Sequence, residues 1–180
     1  PIISGFDCMK DAIEICIGAE DVNKTLETLA KVWKALGDQG ATRHSLLINL
    51  GGGMVTDLGG FAASTFKRGI KYINIPTTLL AMVDASVGGK TGINFNGLKN
   101  EVGVFSPAEF VLIDTSFLKS LDTYNLLSGY AEMLKHGIIS TTAHWAELLN
   151  FDMSDIDYTA LQALVAQSVQ IKENIVEQDP

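Results

Sequence analysis

Three consecutive glycines between a predicted strand and a predicted helix constrain this chain more than any other feature. The sequence from residue 46 reads LLINLGGGMVTDLGGFAAS, in which Leu46 to Leu50 predicts a buried strand and a helix is predicted from about Val55. A strand, a glycine turn and a helix together present backbone N–H groups and a helix N-terminus, an arrangement that binds phosphate groups. The spacing differs from G-x-G-x-x-G, so a plain strand-to-helix turn stays open as the alternative.

The charge of the following segment favours an anionic ligand. Residues 67–100 contain five basic side chains and one acid, Asp84, although the whole chain has a formal net charge of −8. A basic segment in an acidic protein indicates anion binding, whereas a solvated face is the simpler interpretation for Lys67 and Lys71. That simpler interpretation fits Lys90 less well, because Lys90 lies in the sequence VGGKTG, where glycines let a ligand approach the backbone.

The alternation of strand and helix patterns predicts the fold of the first part of the chain. Strands are predicted at residues 11–17, 46–50, 72–75 and 110–113, and helices at residues 22–37, 55–66 and 79–85. Asp21 is a candidate cap for the first helix, and Cys16 is predicted to be a buried thiol in the first strand. The glycines at positions 88, 89 and 92 predict a loop. This order is typical of the βαβ units of a parallel sheet.

From Asn125 onward the pattern becomes purely helical. Helices are predicted at residues 126–139, 143–150 and 158–176, the last with apolar residues along one side. His144 is expected on the surface of the middle helix, and His44 in a loop. We therefore expect an α/β, Rossmann-like, parallel-sheet nucleotide-binding domain at residues 1–116, followed by the first helices of an all-α domain at residues 117–180.

Length and composition exclude several classes of protein. A chain of 180 residues with 47% hydrophobic and 19% charged residues is typical of a globular enzyme. No apolar run approaches the ~20 residues of a membrane span and no charged-then-apolar leader is visible, so we expect neither a membrane nor secretion. Two cysteines are too few for a disulfide framework, which favours the cytoplasm. A sequence pI of about 4.7 argues against nucleic acid as a partner.

Several segments resemble the 3-dehydroquinate synthases of the shikimate pathway, and they occur in the family's order. They are GGGMVTDLGGFAAS, RGI, IPTTLLAMVDASVGGKTGIN, GLKNEVGVF and GYAEMLKHG, and the resemblance runs from about Asp21 to the end of the chain. It implies a lyase of aromatic amino acid biosynthesis that converts 3-deoxy-D-arabino-heptulosonate 7-phosphate to 3-dehydroquinate with release of phosphate. It also implies NAD, a divalent metal (zinc or cobalt), a small sugar phosphate as substrate and a homodimer.

For NAD, the resemblance implies contacts from the glycine turn and from several later segments. Its loosest match is Asp21 with Lys24, where helix capping by Asp21 is an equally good interpretation. Asp57 is also explained by the preference for acids in the first turn of a helix. The residues that the resemblance assigns to the cofactor are Asp21, Lys24, Gly52, Gly53, Met54, Val55, Thr56, Asp57, Thr77, Thr78, Lys90, Lys99, Phe117, Leu118, Lys119 and Ser120.

For the metal, the resemblance implies one ligand, Glu132 in GYAEMLKHG. The family takes its two other ligands from a later histidine motif that these 180 residues do not contain. His136 lies one helical turn from Glu132, and such a pair can chelate a metal. The family commonly has an aromatic residue at that position, however, so His136 is interpreted as a packing residue.

For the substrate, the resemblance assigns residues around the reacting sugar and its phosphate. Lys135 follows Glu132 by three residues, so both can face one cleft. Without the resemblance, Lys172 would be interpreted as a solvated residue of an amphipathic helix. The residues assigned to the substrate are Asp84, Lys90, Asn100, Lys135, Lys172 and Arg68, the last in a phosphate site that a dimer could share.

Two other functions stay open at this stage. One is another sugar-phosphate cyclase or a metal-dependent polyol dehydrogenase of the same fold, and the other is a non-catalytic nucleotide-binding module. Because a catalytic zinc takes three protein ligands and only Glu132 matches one, we expect the 180 residues alone to be inactive. In that state Lys135 and Lys172 are expected to face solvent.

Overall fold

The computed structural model describes residue 5 and residues 7–178 of the chain. It contains five α-helices and four β-strands among these residues, together with several single turns of 3₁₀-helix. The elements are α1 (Leu26–Asp38), β1 (Leu46–Gly51), α2 (Gly53–Thr65), β2 (Lys71–Pro76), β3 (Lys90–Phe95), β4 (Leu98–Phe105), α3 (Thr123–Ile139), α4 (Thr142–Asn150) and α5 (Tyr158–Gln178). A short π-helical turn, Ala81–Ala85, lies between β2 and β3.

The β1–α2–β2 unit confirms the expected α/β architecture. Strands β1 and β2 pair in parallel, with Leu46 opposite Lys71 and Gly51 opposite Pro76. Seven residues of α2 are buried, and four of them are the small residues Gly59, Gly60, Ala62 and Ala63. At Gly59, the Cβ of an alanine would overlap the side-chain amide of Asn49, so glycine is what lets α2 approach β1 this closely.

The predicted strand at residues 110–113 forms only a single bridge to the sheet. Val111 pairs with Asn74 of β2 in a parallel bridge. The backbone of Asn74 accepts from Leu112 N at 2.8 Å and donates to Phe110 O at 3.2 Å. Phe110 and Leu112 are more than half exposed, so the segment runs beside β2 without continuing the ladder. The prediction of a full strand is therefore wrong.

The predicted loop around the glycines at 88, 89 and 92 is also wrong in part, because an antiparallel hairpin follows. Strands β3 and β4 pair with Gly92 opposite Gly103. A Cβ at Gly92 would lie 2.6 Å from Val102 O, so these glycines serve close strand contact. Asn96 and Gly97 form the turn with positive φ angles of 50° and 78°, as a two-residue hairpin requires.

The N-terminal segment differs most from expectation. Residues 11–17 form no strand in the described part of the chain, and Cys16 is exposed. Helix α1 begins at Leu26, where the Thr25 hydroxyl accepts from Thr28 N at 3.2 Å. The cap is therefore Thr25, and Asp21 belongs to a separate single turn. The strand and Cys16 predictions are therefore wrong.

The helical part confirms all three predicted helices and shares its core with the α/β part. Leu79, Met82 and Val83 around the π-turn pack against α3 and α5 in one buried cluster. His144 is buried, and its ring lies 2.7 Å from Gln167 Oε1 of α5, so the surface prediction for His144 is wrong. No helix of the described residues is long and apolar enough to cross a membrane.

Candidate functional site

The glycine turn joins the end of β1 to the start of α2 and faces the end of β2. Gly52 is the N-cap, and α2 begins at Gly53, two residues earlier than predicted. The first N–H groups of a helix have no intrahelical acceptor, so those of this turn can bind an anion. A Cβ at Gly52 would lie 3.0 Å from Thr78 Cγ2. Because Thr77 N donates to Gly51 O at 2.9 Å, the turn and the Thr77–Thr78 pair form one surface.

The threonine side chains of this region make hydrogen bonds within the protein. Thr56 is buried and its hydroxyl donates to Gly53 O at 3.1 Å, while Thr78 Oγ1 accepts from Ala81 N at 3.3 Å. Met54 and Val55 are half-buried beside them. The earlier helix start also places Asp57 in the second turn of α2, so the first-turn interpretation of Asp57 is wrong.

Asp57 instead contacts a buried lysine from the N-terminal segment. Lys24 is only 3% exposed, and its Nζ lies 2.5 Å from Asp57 Oδ2 and 2.5 Å from Asn100 Oδ1. Burial raises the pKa of the Asp57 carboxyl, and the hydrogen bond and charge of Lys24 offset part of that rise. Residues from three segments that lie far apart in the sequence therefore meet beside the glycine turn.

A second cluster, more exposed, surrounds Asp21. Lys99 Nζ lies 3.2 Å from Asp21 Oδ2, and Asn94 Nδ2 donates to the same oxygen at 3.1 Å. Burial acts to raise the pKa of Asp21, but the hydrogen bonds from Lys99 and Asn94 and the charges of Lys99 and Lys24 lower it below its ordinary value. Asn94 is not among the residues that the sequence predicts for the site, although it lies in the GKTGIN segment that carries the resemblance.

A third cluster joins the π-turn to α5. Lys172 Nζ donates to Asp84 O at 2.6 Å and also contacts the Asp84 carboxylate. The Lys172 side chain is only 20% exposed, so the expectation that it faces solvent is wrong. The π-turn holds Lys172 because the backbone carbonyl and the carboxylate of Asp84 both face α5.

Glu132 lies on α3 with its side chain 17% exposed. Its Oε1 contacts Lys135 Nζ and lies 3.4 Å from His136 Nε2. His136 is 2% exposed, which confirms it as a packing residue, and burial lowers the pKa of its ring against the opposing effect of Glu132. The carboxylate can supply one oxygen to a divalent metal. Among the described residues, no three His, Cys, Asp or Glu side chains come together as a metal site.

The remaining predicted residues lie outside these clusters. Arg68 is exposed in a turn where it has a φ of 70°. Lys90 is exposed at the start of β3, with Nζ 6.0 Å from the centre of the Phe105 ring. In the turn Thr115–Ser120, Leu118 packs into the core and Lys119 Nζ lies 5.6 Å from the Tyr158 ring centre. Phe117 is half-buried and Ser120 exposed in the same turn.

One regularity connects the clusters. Each of the four acids that the sequence assigned to the site pairs with a lysine also assigned to it. The four pairs are Asp21–Lys99, Asp57–Lys24, Asp84–Lys172 and Glu132–Lys135. Within each pair the two charges neutralise one another, so a charged ligand that binds there has to exchange contacts with the pair.

Comparison with known families gives matches along most of the chain. A family model described as 3-dehydroquinate synthase N-terminal matches residues 14–128, and one described as 3-dehydroquinate synthase C-terminal matches residues 129–180. The 3-dehydroquinate synthase of Parabacteroides distasonis is 57% identical over 180 residues. That alignment covers 100% of this chain and 51% of the relative, so the chain spans about half the length of the curated protein.

Solved structures of related enzymes share the fold. A 2-epi-5-epi-valiolone synthase from Streptomyces hygroscopicus with NAD⁺ and Zn²⁺ bound has 34% identity and a TM-score of 0.79, over 91% of this chain and 47% of that one. A 2-deoxy-scyllo-inosose synthase complexed with carbaglucose-6-phosphate, NAD⁺ and Co²⁺ has 26% identity and a TM-score of 0.80, over 88% and 44%.

Proposed function

This chain belongs to the 3-dehydroquinate synthase family, and from that premise we propose that the protein carrying it converts 3-deoxy-D-arabino-heptulosonate 7-phosphate to 3-dehydroquinate with release of phosphate. The observation that carries the proposal is the meeting of the glycine turn, Thr77–Thr78 and the Lys24–Asp57–Asn100 cluster at one place. Residues that the family resemblance assigned to cofactor and substrate, from distant parts of the sequence, are neighbours there.

We assign the NAD pyrophosphate to the start of α2. The N–H groups after Gly52 and the absence of a side chain at Gly53 suit two phosphates. Lys24 and Asp57 lie beside them and can bind ribose hydroxyls by exchanging part of their mutual contact. When bound, NAD supplies the hydride acceptor for a substrate hydroxyl. The NAD⁺ in both related cyclase structures supports this assignment.

We assign one metal ligand, Glu132, to this chain. A divalent metal supplies a Lewis acid that polarises a substrate oxygen. Lys135 Nζ contacts the Glu132 carboxylate in this structure. Because the Lys135 side chain is 58% exposed, its ammonium can move to a substrate oxygen when a metal binds that carboxylate. The Zn²⁺ and Co²⁺ of the related cyclases support a metal of this class.

We assign the substrate to the region bordered by the Asp84–Lys172 and Glu132–Lys135 pairs. Asp84 fixes the Lys172 ammonium there, so that a cation is held in place before a sugar phosphate arrives. Lys90, Asn100 and Lys135 provide further donors for hydroxyl, carboxylate or phosphate oxygens. The carbaglucose-6-phosphate bound by a related cyclase supports a small sugar phosphate as the ligand class.

We further propose a homodimer in the cytoplasm, with Arg68 contributing to a phosphate site, and a domain boundary near Phe117. Arg68 is exposed in a left-handed turn, a conformation that costs free energy and is typical of functional positions. The inactivity of the 180 residues alone stays a prediction, because Glu132 is the one family metal ligand they contain.

The test is phosphate release by the protein encoded by the complete gene, with NAD and Zn²⁺ present. We expect release from the heptulosonate phosphate but not from a sugar phosphate that lacks the carboxylate, and we expect chelation to abolish it. Activity on the second compound alone would favour another cyclase of the family. Oxidation of a polyol without phosphate release would favour a dehydrogenase, and NAD binding without either reaction would favour a nucleotide-binding module.

A further inference from the structure

Asn94, the last but one residue of β3 and the site of an irregularity in its pairing with β4, joins its strand to two other segments of the site by hydrogen bonds. Its backbone N donates to Lys24 O at 2.8 Å. Its side-chain Nδ2 donates to Asp21 Oδ2 at 3.1 Å and to Asp21 O at 3.3 Å. Its Oδ1 accepts from Asn100 N at 3.0 Å. One side chain thus contacts the turn that carries Asp21 and the strand that carries Asn100.

The contact to Asn100 fixes an unusual backbone conformation. Asn100 has a φ of 54°, in the left-handed region that most residues avoid. With its N–H held by Asn94, the Asn100 side chain reaches back so that its Oδ1 lies 2.5 Å from Lys24 Nζ. Strained conformations of this kind persist only where the surrounding contacts determine them.

An asparagine amide is suited to this role because it has a donor and an acceptor on the same short side chain. The donor meets a carboxylate that lies beside Lys99, and the acceptor meets a backbone N–H. Aspartate could keep the acceptor but would place a second carboxylate against Asp21. Alanine would lose both bonds. The two substitutions therefore separate the contact to Asn100 from the contact to Asp21.

We propose that Asn94 is a positioning residue that ties the cofactor-side acid Asp21 to the substrate-side Asn100. The inference rests on the proposed function, since those two roles come from it. Asn94 itself contacts neither NAD nor the substrate. It acts by holding the Asp21 carboxylate and the Asn100 backbone at a fixed separation, so that the two halves of the site are aligned before either ligand binds.

The first test is NAD affinity of the purified chain, measured by titration calorimetry, with thermal unfolding recorded for each variant. Asn94→Ala is expected to weaken NAD binding about tenfold, since it releases a hydrogen bond to a charged group. Asn94→Asp is expected to weaken it at least as much, although it keeps an acceptor for Asn100 N. Asn96→Gly, in the turn of the same hairpin, is the matched control and should bind NAD as the wild type does.

The second test is a double-mutant cycle with Asp21. It measures the coupling between the two substitutions in NAD affinity, which a purely structural role of Asn94 would not produce. If Asn94 acts through Asp21, then Asn94→Ala and Asp21→Ala together should weaken NAD binding no more than Asp21→Ala alone. A loss of about 100-fold in the double variant, as two independent tenfold losses would give, would overturn the inference. So would wild-type NAD affinity in Asn94→Ala. Should the alanine variant not fold, Asn94→Asp takes its place in the same cycle. Failure of the wild-type chain itself to bind NAD would instead contradict the cofactor assignment.

Discussion

Lys172 and Asp84, 88 residues apart in the sequence, are joined by a hydrogen bond of 2.6 Å from the lysine Nζ to the aspartate backbone carbonyl. The same ammonium contacts the Asp84 carboxylate. The contact links α5 of the helical part to the π-turn of the α/β part, within the region where both parts share a buried cluster. A cation assigned to the substrate is therefore already fixed by the fold, which favours binding because its side-chain entropy is lost before the ligand arrives.

Replacing Asp57 by alanine should destabilise the chain strongly, because it leaves the Lys24 ammonium buried with only Asn100 as a partner. We expect a loss of about 3 kcal/mol in the free energy of unfolding, measured with urea. Asp38→Ala is the matched control, since Asp38 forms an exposed pair with Lys34. That variant should change stability by about 0.5 kcal/mol or less. Equal effects of the two variants would contradict a buried role for Lys24.

The start of α3 should make a pH-dependent contribution to stability. Asp122 accepts from Asn125 N at 3.0 Å, and the hydrogen bonds from the Asn125 side chain and backbone lower the pKa of Asp122. A carboxyl whose pKa is lowered in the folded state stabilises above its unfolded pKa, and that stabilisation is lost as the pH falls through the folded value.

Asp122→Asn keeps a good capping residue but does not titrate. We therefore expect the melting temperature of the wild type to exceed that of the variant near neutral pH, and the difference to shrink below about pH 4. The measurement is thermal unfolding by circular dichroism across that range. A difference that grows as the pH falls would contradict the lowered pKa.

Gly129 of α3 should not tolerate a side chain. The Cβ of an alanine would lie 2.5 Å from Leu80 N and 2.6 Å from Leu79 Cβ, so α3 would have to move away from the π-turn. We expect Gly129→Ala to cost about 1–3 kcal/mol of stability despite the higher helix propensity of alanine. At Gly37, in the last turn of α1, no atom lies within 4 Å of the added Cβ. Gly37→Ala should be neutral or stabilising by up to about 1 kcal/mol.

Lys90 should matter for the reaction more than Lys71, although both belong to the same basic segment. Lys71 forms an exposed pair with Glu109 at 3.0 Å, whereas Lys90 follows two glycines with positive φ angles. In the protein encoded by the complete gene, Lys90→Ala is expected to reduce kcat/KM on the order of 100-fold, and Lys71→Ala to leave it near the wild-type value. Equal losses would mean that the basic segment acts only as a diffuse field.

Regular helices and the glycine turn could be predicted from the sequence because their signals are local. Helices α3, α4 and α5 follow apolar residues at helical spacing, and β1 and β2 are apolar runs next to glycine and proline. The β3–β4 hairpin is harder to predict because the glycines at 88, 89 and 92 also suit a loop, although Asn96–Gly97 is a hairpin turn signal.

The pairing within the site could not be predicted from the sequence, because it depends on contacts between distant segments. Lys24 meets Asp57 across 33 positions, and spacing along the chain does not show which acid a lysine will meet. Asn94 was missed for the same reason, since its three partners lie in two other segments. The burial of His144 could not be predicted from its own helix, because the partners of its ring, Gln167 and Ser168, lie on α5.

Titration of NAD into the purified 180-residue chain shows whether these residues carry the cofactor site of the family. We predict saturable one-to-one binding that Asp57→Asn weakens and that Lys71→Ala, in the exposed pair with Glu109, leaves unchanged. No binding by a chain that circular dichroism shows to be folded, or equal binding by the wild type and Asp57→Asn, would contradict it.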